Sequence, residues 1–475
     1  MTSTLRRAGA YAAVGTLALA GPALGAAAAA PFAALAVLAV FVVDDGPLFE
    51  LFARPGDYED GQLNGLAGFA LAATGLAILT FVPGTAALPV EAFVTAVLVV
   101  AYGNLGSALV ATRTTGPFPT ATGFVVLGAL AGTTGLAVVA LTAGPALGLG
   151  LATGTFLDAA GSGPATPVEL HLPRFAVLAV SGAVTAALLR TVLYERDDPW
   201  ILLSVGLVVG LLAALIGTPA AWLVGTAFVV TLGLGYASYA LGTASVAGML
   251  TGVLLAILII VLGGVGWFGL LVTFFVVGSL STKFRYDAKQ QRGVAEPNEG
   301  ARGTANVLGN AAVALGAVLG YAAAPELGVA ALRPGFLFAF AGSLAAAMSD
   351  TLSSEVGGLF DGPRLITTLE PVPPGTDGGV TWQGELAGLV GAGVLAGLSL
   401  VLLPVGNPVV GAAVVAAGGV AGMTVDSVLG ATVEGGSVSV PGAPVALDVD
   451  NEVVNFAATF AGGVVSGALA LGLAV

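Results

Sequence analysis

Long stretches without an ionisable side chain constrain the fold of this chain more than any other feature. Six runs contain no Asp, Glu, Lys, Arg or His: 11–43, 61–90, 114–157, 199–282, 386–425 and 456–475. A helix needs roughly 20 apolar residues to cross a bilayer. In hydrocarbon every backbone amide needs an internal partner, which leaves helices or closed barrels. The runs lack the alternating apolar and polar pattern of a barrel strand, so the sequence predicts membrane-spanning helices.

The composition predicts an all-α, polytopic transmembrane protein with about 13–16 spans. Hydrophobic residues make up 57% of the chain and charged residues only 9%, against about 25% charged residues in a typical soluble domain. The candidate spans run from 9–26 and 27–43 to 454–474, and the short apolar segment 144–157 counts only toward the larger total. We predict a multi-pass protein of the cell membrane that contacts membrane lipids.

Several classes of chemistry are excluded by residue usage. Cysteine is absent and His171 is the only histidine, which rules out thiolate ligands, His-based metal sites and Ser-His-Asp triads. We expect His171 to be a surface residue of a loop. Catalysis would have to come from carboxylates, hydroxyls, amides, Arg and Lys.

The charged residues are mostly acidic. The formal net charge is −13, and Lys283 and Lys289 are the only lysines among fourteen basic residues. Acidic, lysine-poor loops suit a cytoplasm of high salt concentration, and we predict a halophilic archaeal source. No nucleic-acid partner is expected, and the oligomeric state is left open.

The distribution of basic residues predicts which loops share a face of the membrane. Residues 283–302 contain five of the fourteen basic residues, which places this loop in the cytoplasm by the positive-inside rule. Counting pairs of spans forward and backward brings 350–383, 426–453 and 191–198 to the same face. The most polar loops are therefore predicted to converge on the cytoplasmic surface.

The segment 282–310 joins a basic cluster to the start of a helix. Its basic residues are Lys283, Arg285, Lys289, Arg292 and Arg302. The helix carries Asn306 and Asn310, which are four residues apart and share one face. Arg and Lys beside a helix N-terminus are suited to binding phosphate. The alternative is an anchor that touches lipid headgroups, and the residues leave both open.

A second polar segment reads Ser-Asp-Thr-Leu-Ser-Ser-Glu at 349–355. Asp350 and Ser354 form an i, i+4 pair, as do Thr351 and Glu355. Two carboxylates among hydroxyls are able to hold Mg²⁺, which prefers oxygen ligands and keeps substrate phosphates in its shell. The alternative is an N-cap for the next helix, because Asp and Ser are preferred caps.

Two more polar segments lie near predicted span boundaries. One runs from Pro363 to Thr368 and continues into the Pro- and Gly-rich stretch 371–382, where ordered turns expose backbone amides. The other comprises 426–432, which closes a span, and 450–455, which opens the last one. Ionisable groups at such boundaries are candidates for function, although helix capping explains some of them.

Five of these motifs occur in an order that resembles a known family. They are TKFRYDAKQQRGVAEPNEGARGTANVLGN, SDTLSSEVG, PRLITTLEPVPPGTDGGV, DSVLGAT and DNEVVNF. The set is similar to the integral-membrane family that includes transmembrane protein 19 and plant phytyl-phosphate kinase, and it covers about 233–475. The resemblance implies phosphorylation of an isoprenoid monophosphate by a nucleoside triphosphate such as CTP.

The N-terminal half, 1–232, has a fainter similarity to the CTP-dependent dolichol and phytol kinases. It rests on GNLGSALV at 103–110, PTATG at 119–123 and DDPW at 197–200. That family would have Asp in place of Asn104, and a Lys and a Glu near 119–123 that this chain lacks. The resemblance implies a degenerate copy without phosphotransfer chemistry, so we predict two domains, 1–232 and 233–475.

The resemblance and the residue types together suggest roles for the polar residues of the C-terminal half. The candidate catalytic and Mg²⁺-binding residues are Asp350, Glu355 and Asp426. The candidate phosphate-binding residues are Lys283, Arg285, Arg292, Arg302 and Arg364. The candidate site-ordering or nucleotide-binding residues are Asn306, Asn310, Ser354, Thr367, Ser427, Asn451 and Asn455.

These roles predict a membrane-embedded prenyl-phosphate kinase with its site on the cytoplasmic face. Phosphoryl transfer depends on positioning and charge neutralisation, and the lipid's own phosphate would be the attacking group. In an archaeon a geranylgeranyl-type substrate is consistent with isoprenoid membrane lipids. The alternatives are a transporter or flippase of an anionic or lipid-linked substrate, which would place polar groups near the bilayer midplane, and a non-catalytic membrane protein.

Overall fold

The apolar runs form helices throughout the part of the chain that the computed structural model describes: residues 3–83, 88–143, 171–194, 197–295, 301–439 and 446–474. Thirteen helical segments of these residues are long and apolar enough to cross a membrane. One further apolar helix, Val246–Leu262, has 17 residues. The prediction of an all-α, polytopic membrane protein is confirmed. The predicted segment 144–157 lies outside the described residues.

The chain divides into two compact units, Met1–Thr226 and Ala227–Val475, where the sequence was predicted to divide between 232 and 233. The helices of the first unit are α1 (Thr4–Gly15), α2 (Gly21–Leu24), α3 (Ala29–Phe41), α4 (Gly46–Phe52), α5 (Asp57–Asp60), α6 (Asn64–Phe81), α7 (Val90–Ala111), α8 (Pro117–Ala143), α9 (Leu172–Arg190) and α10 (Asp198–Leu215). Short 3₁₀ helices at Thr16–Ala20 and Gly25–Ala28 connect α1, α2 and α3. The unit boundary falls within α11 (Ala221–Ala240).

The helix α7 is the buried centre of the first unit. Nearly every residue from Val90 to Ala101 is buried. A Cβ on Gly106 would lie 2.1 Å from the Gly123 carbonyl oxygen of α8, so the backbones of α7 and α8 touch there. Small residues allow such close approach between membrane helices. The glycines of the GNLGS motif therefore serve helix packing.

The expectation for His171 is wrong. Its side chain is only 6% exposed and stacks on the ring of Phe175, with centroids 6.1 Å apart. His171 comes directly before α9, where the bundle already covers it. The sequence around a single polar residue in a loop does not indicate whether neighbouring helices bury it.

The second unit contains the remaining elements. They are α12 (Val246–Leu262), α13 (Val265–Lys283), α14 (Tyr286–Gln291), α15 (Thr304–Ala323), a 3₁₀ helix (Ala330–Leu332), α16 (Arg333–Gly357), β1 (Arg364–Leu365), β2 (Gly379–Val380), α17 (Trp382–Leu402), α18 (Pro408–Thr432), β3 (Ser437–Ser439), β4 (Ala446–Asp448) and α19 (Asn451–Leu473). The strands form two small antiparallel hairpins, in which Arg364 pairs with Val380 and Val438 with Leu447.

Three helices of the second unit, α16, α18 and α19, pack through glycine and alanine. A Cβ on Gly422 of α18 would lie 2.2 Å from the Ala346 Cβ of α16 and 2.8 Å from the Ala458 carbonyl oxygen of α19. Close packing of this kind fixes the relative depth of residues on the three helices. It therefore sets which polar side chains meet at their ends.

Candidate functional site

Two carboxylates on different helices meet near one end of the second unit. The carboxyl groups of Asp350 and Asp426 lie within hydrogen-bonding distance of each other. Asp350 lies seven residues before the end of α16 and Asp426 six before the end of α18. At 1.5 Å per residue, each is roughly 10 Å from the end of its helix. Asp350 is inside a helix, so it does not cap the next one.

The same end of the bundle collects the other polar motifs. The start of α15 packs on the start of α19, since a Cβ on Gly309 would lie 3.5 Å from the Asn455 Cβ. Loop 371–381 reaches α18, where a Cβ on Gly378 would lie 2.5 Å from the Ser427 carbonyl oxygen. With a φ of +70° at Gly378, only glycine suits this contact. The predicted convergence of these segments within the second unit is observed.

Several further carboxylates surround the pair. Burial raises the pKa of Glu434 above its ordinary value, and four nearby carboxylates raise it further. These four are Asp377, Asp350, Asp450 and Glu452. We call Asp350, Asp377, Asp426, Glu434, Asp450 and Glu452 the carboxylate cluster. Mutual repulsion within such a group is relieved by protons or by a cation.

Some buried polar atoms of these segments have no hydrogen-bond partner among the described residues. They include Asp426 Oδ1, Asn306 Oδ1 and Ser349 Oγ, all buried. Asn310 is also buried, and its amide donates to the Asn306 carbonyl oxygen at 3.0 Å. A buried polar atom normally has a partner. The unpaired Asp426 Oδ1, and the Oγ of Ser349 next to Asp350 in sequence, are therefore consistent with a ligand that interacts with oxygen.

Glu355 has a different role from Asp350. Its carboxylate forms an ion pair with the buried Lys289 ammonium. The same ammonium donates to the carbonyl oxygens of Ser281 at 2.8 Å and Thr282 at 3.2 Å. The pair fastens the loop after α13 to α16. The sequence did not indicate that Lys289 pairs with Glu355, because the two residues are 66 positions apart.

Most of the predicted phosphate-binding cations have protein partners. Arg292 donates to the Gly358 carbonyl oxygen at 3.0 Å and to Asp361 at 2.6 Å. Arg364 donates to the Leu369 carbonyl oxygen at 2.7 Å. The exposed Arg285 lies beside the Phe284 ring.

Two other predicted cations differ in their surroundings. Lys283 lies near the Tyr286 ring. The guanidinium of Arg302 acts electrostatically on Asp350. The same guanidinium lies over the Phe274 ring, 5.7 Å from its centroid.

The remaining predicted residues occupy mixed positions. Ser354 donates to Asp350 at 3.4 Å. Asn455 is buried in the second turn of α19, and Asn451 is exposed at its start. Thr367 is exposed in the β1–β2 loop. Asp377, Glu434, Asp450 and Glu452 were not predicted as site residues, although each lies in or beside a motif segment as a carboxylate near a span boundary.

The fold and this site together define a class: a multi-pass helical membrane protein with a carboxylate-lined site at one end of a bundle. The family described as integral membrane protein DUF92 matches residues 229–463. An uncharacterised membrane protein of Synechocystis sp. is 36% identical over 214 residues, which are 44% of this chain and 76% of the relative. The chain belongs to the DUF92 family.

Two further relatives come from an archaeon and a plant. An uncharacterised membrane protein of Methanocaldococcus jannaschii is 36% identical over 201 residues, 41% of this chain and 73% of that protein. Protein VTE6, chloroplastic, of Arabidopsis thaliana is 36% identical over 140 residues, 29% of this chain and 41% of that protein. No solved structure matches the chain.

Proposed function

We propose that this protein is a membrane-embedded kinase that transfers a phosphoryl group from a nucleoside triphosphate to an isoprenoid monophosphate. The observation that carries the proposal is the contact between the Asp350 and Asp426 carboxyl groups on two packed helices. The motif resemblance to plant phytyl-phosphate kinase supplies the reaction class. The attacking atom would be a phosphate oxygen of the lipid, and the bond broken would join the terminal phosphorus to its bridging oxygen. The products are an isoprenoid diphosphate and a nucleoside diphosphate.

Asp350 and Asp426 fit the ligand set of Mg²⁺. In the described part of the chain no three His, Cys, Asp or Glu side chains are grouped to hold a metal without further ligands. Mg²⁺ in phosphoryl-transfer sites usually takes one or two carboxylates and completes its shell with water and substrate phosphates. The buried Asp426 Oδ1 without a partner agrees with this arrangement. When bound, the ion would neutralise charge on the transferring phosphoryl group.

The start of α15 is the natural position for phosphate oxygens. The helices that begin at this end of the second unit include α12, α15, α17 and α19, since a Cβ on Gly248 of α12 would lie 2.1 Å from the Arg302 carbonyl oxygen. The N-cap Ser245 of α12 accepts from the Gly248 amide. The N-caps Thr381 and Asp450 accept from the first turns of α17 and α19, whereas Gly303 offers α15 no side-chain acceptor. The amides of the first turn of α15 therefore face outward with the positive end of the helix dipole. Arg302, directly before them, would add its charge.

Glu355 then acts as a positioning residue. Its pairing with Lys289 holds the basic loop against α16, so its carboxylate is already neutralised. We assign the metal to Asp350 and Asp426, and the fixing of the loop to Glu355.

A direct assay tests the proposal. The purified full chain in nanodiscs would be incubated with radiolabelled CTP or ATP and geranylgeranyl monophosphate, with and without Mg²⁺. We expect a Mg²⁺-dependent diphosphate product, and a loss of about a hundredfold or more in Asp426→Asn and Asp350→Asn because charge stabilisation of the transition state is removed. Glu326→Gln is the matched control, since Glu326 is exposed in the loop between α15 and α16.

Two results contradict the proposal. One is the absence of diphosphate with every triphosphate tried. The other is full diphosphate synthesis in both Asp variants, which would remove these two carboxylates from the reaction.

A further inference from the structure

We infer that the first unit contains a separate binding site for a phosphate monoester, formed by arginines at the ends of its helices. The inference concerns Met1–Thr226 and stands independently of the proposed kinase activity in the second unit. It rests on a cavity of about 260 Å³ whose lining includes Arg7, Arg54 and Arg190. Among the described residues, every charged side chain that lines this cavity is an arginine.

The cavity lies where helix ends meet. Arg7 is in the first turn of α1, and Thr120 is in the first turn of α8. Ser107 is near the end of α7, and Arg190 is the last residue of α9. Arg54 follows α4. This position corresponds to the headgroup region of a bilayer, and basic residues concentrated at one end mark the cytoplasmic side.

A buried carboxylate behind the cavity holds its arginines in place. Asp198 is fully buried and pairs with Arg54 at 2.5 Å. Asp198 also pairs with Arg190 and accepts from the Asn104 amide at 3.2 Å. Asn104 in turn accepts from Arg190 at 3.0 Å. Asp198 does not line the cavity, so it orients the donors without occupying the space in front of them.

The turn that carries Arg54 is fixed separately. Asp57 is buried and accepts from the backbone amide of Arg54 at 2.9 Å and from that of Gly65 at 3.3 Å. The guanidinium of Arg54 lies over the Tyr11 ring, 4.7 Å from its centroid. Binding groups that are held in place before the ligand arrives lose less entropy on binding.

Two buried donors that belong to cavity-lining residues lack a partner in the described structure. Tyr11 is only 2% exposed, and its hydroxyl makes no hydrogen bond. The Nε of Arg190 is likewise buried and without a partner. Buried donors normally have acceptors. Both residues belong to the walls of the cavity.

The chemistry of the lining selects the ligand. Arginine binds phosphate through charge-assisted and often bidentate hydrogen bonds. The volume is slightly below the roughly 300–1,000 Å³ of common ligand pockets, which suits a phosphate group better than a whole nucleotide. The phosphate would belong to a lipid headgroup or be free in solution.

Equilibrium dialysis of radiolabelled inorganic phosphate against the full chain tests the inference. The chain would be held in phosphatidylcholine nanodiscs. We expect binding that weakens by roughly tenfold to a hundredfold in Arg7→Gln, the change expected on losing one hydrogen bond to a charged group. We expect a comparable loss in Ala108→Leu, which fills the cavity without changing charge, since Ala108 is part of its lining.

Two controls separate this site from other phosphate binding. Arg113→Gln removes an exposed arginine from the loop between α7 and α8, which is outside the lining. Asp426→Asn alters the proposed kinase site. Both variants should leave unchanged the phosphate binding that Arg7→Gln and Ala108→Leu weaken.

The source of the phosphate is resolved by adding phosphatidic acid to the nanodiscs. Competition with the radiolabel supports a lipid headgroup, and its absence supports free phosphate. The inference is overturned if the parent binds neither phosphate nor phosphatidic acid. It is equally overturned if Arg7→Gln and Ala108→Leu both bind as the parent does.

Discussion

The buried ion pair between Lys289 and Glu355 predicts unequal effects for its two single variants. In Lys289→Met the carboxylate of Glu355 stays buried near Asp350 without its cation. Removing one partner of a buried pair costs roughly 3–5 kcal/mol. In Glu355→Gln the ammonium keeps the two carbonyl oxygens of Ser281 and Thr282 and gains an amide oxygen. We expect a smaller cost of about 1–3 kcal/mol.

The double variant provides the decisive comparison. With both charges removed, neither is left buried alone, so the combined cost should fall short of the sum of the single costs by about 1–3 kcal/mol. Thermal unfolding in detergent, followed by circular dichroism, measures each term. A unit of this size shifts by roughly 2–4 °C for each kcal/mol, so Lys289→Met should lower the midpoint by roughly 6–20 °C.

The same variants separate a positioning role from a catalytic one. If Glu355 holds the loop, the double variant Lys289→Met with Glu355→Gln should bind the nucleotide more weakly but keep the parent's Mg²⁺ dependence, whereas Asp350→Asn should weaken activation by Mg²⁺. Additive single costs would refute the buried-pair argument, as would a larger cost for Glu355→Gln than for Lys289→Met. A double variant that needs much more Mg²⁺ than the parent would restore Glu355 to the metal site.

Three other perturbations test separate parts of the second unit. Gly303→Asp should lose nucleotide binding, because a carboxylate cap would occupy the start of α15. The variant should stay folded, because a Cβ at Gly303 has no neighbour within 4 Å. Equal nucleotide affinity in Gly303→Asp and in the control Gly303→Ala, measured by dialysis, would contradict the proposed phosphate position. Glu434→Gln should raise the unfolding midpoint at pH 8, and this gain should shrink as the pH falls toward 4.5, the ordinary pKa of the carboxyl. The reason is that a carboxyl whose pKa is raised by folding costs stability only while it is ionised. A gain that does not change with pH, or an equal gain in the exposed Glu326→Gln, argues against this prediction. Gly422→Ala should destabilise the protein by about 1–3 kcal/mol through overpacking, since its Cβ would lie 2.2 Å from a methyl carbon of α16. The control Gly393→Ala in α17, where a Cβ meets nothing within 4 Å, should leave the unfolding midpoint unchanged. Similar losses in both variants would refute the packing argument.

The sequence predicted the helices well because bilayer crossing imposes a simple composition rule. An apolar run of sufficient length has to become a helix, and the runs at 199–282 and 386–425 did so. The details that failed depend on neighbours. The burial of His171 and the 3₁₀ breaks between Thr4 and Phe41 arise from how helices pack, which residue types do not encode.

The site was predictable as a set of segments and much less as a set of contacts. The motifs around Asp350 and Asp426 come together as expected, since helix parity places both segment ends on one face. The pairing of their carboxyl groups depends on the depth at which α16 and α18 meet, which is set by the contact of Gly422 with Ala346. The cations were harder to interpret. A sequence shows that Arg292 is basic, but not that the carbonyl oxygen of Gly358 accepts from it.

The charge balance of the second unit favours one order of events for the proposed reaction. The carboxylate cluster would repel a bare triphosphate, and the cations Lys289 and Arg292 are engaged with Glu355 and Asp361. The start of α15, which has no side-chain cap, would attract phosphate together with the charge of the nearby Arg302. A helix dipole contributes up to about 2 kcal/mol, which is too little to hold several phosphate charges beside six carboxylates. The nucleotide should therefore enter with its metal ion, so that Asp350 and Asp426 attract the same phosphates that they would repel without it.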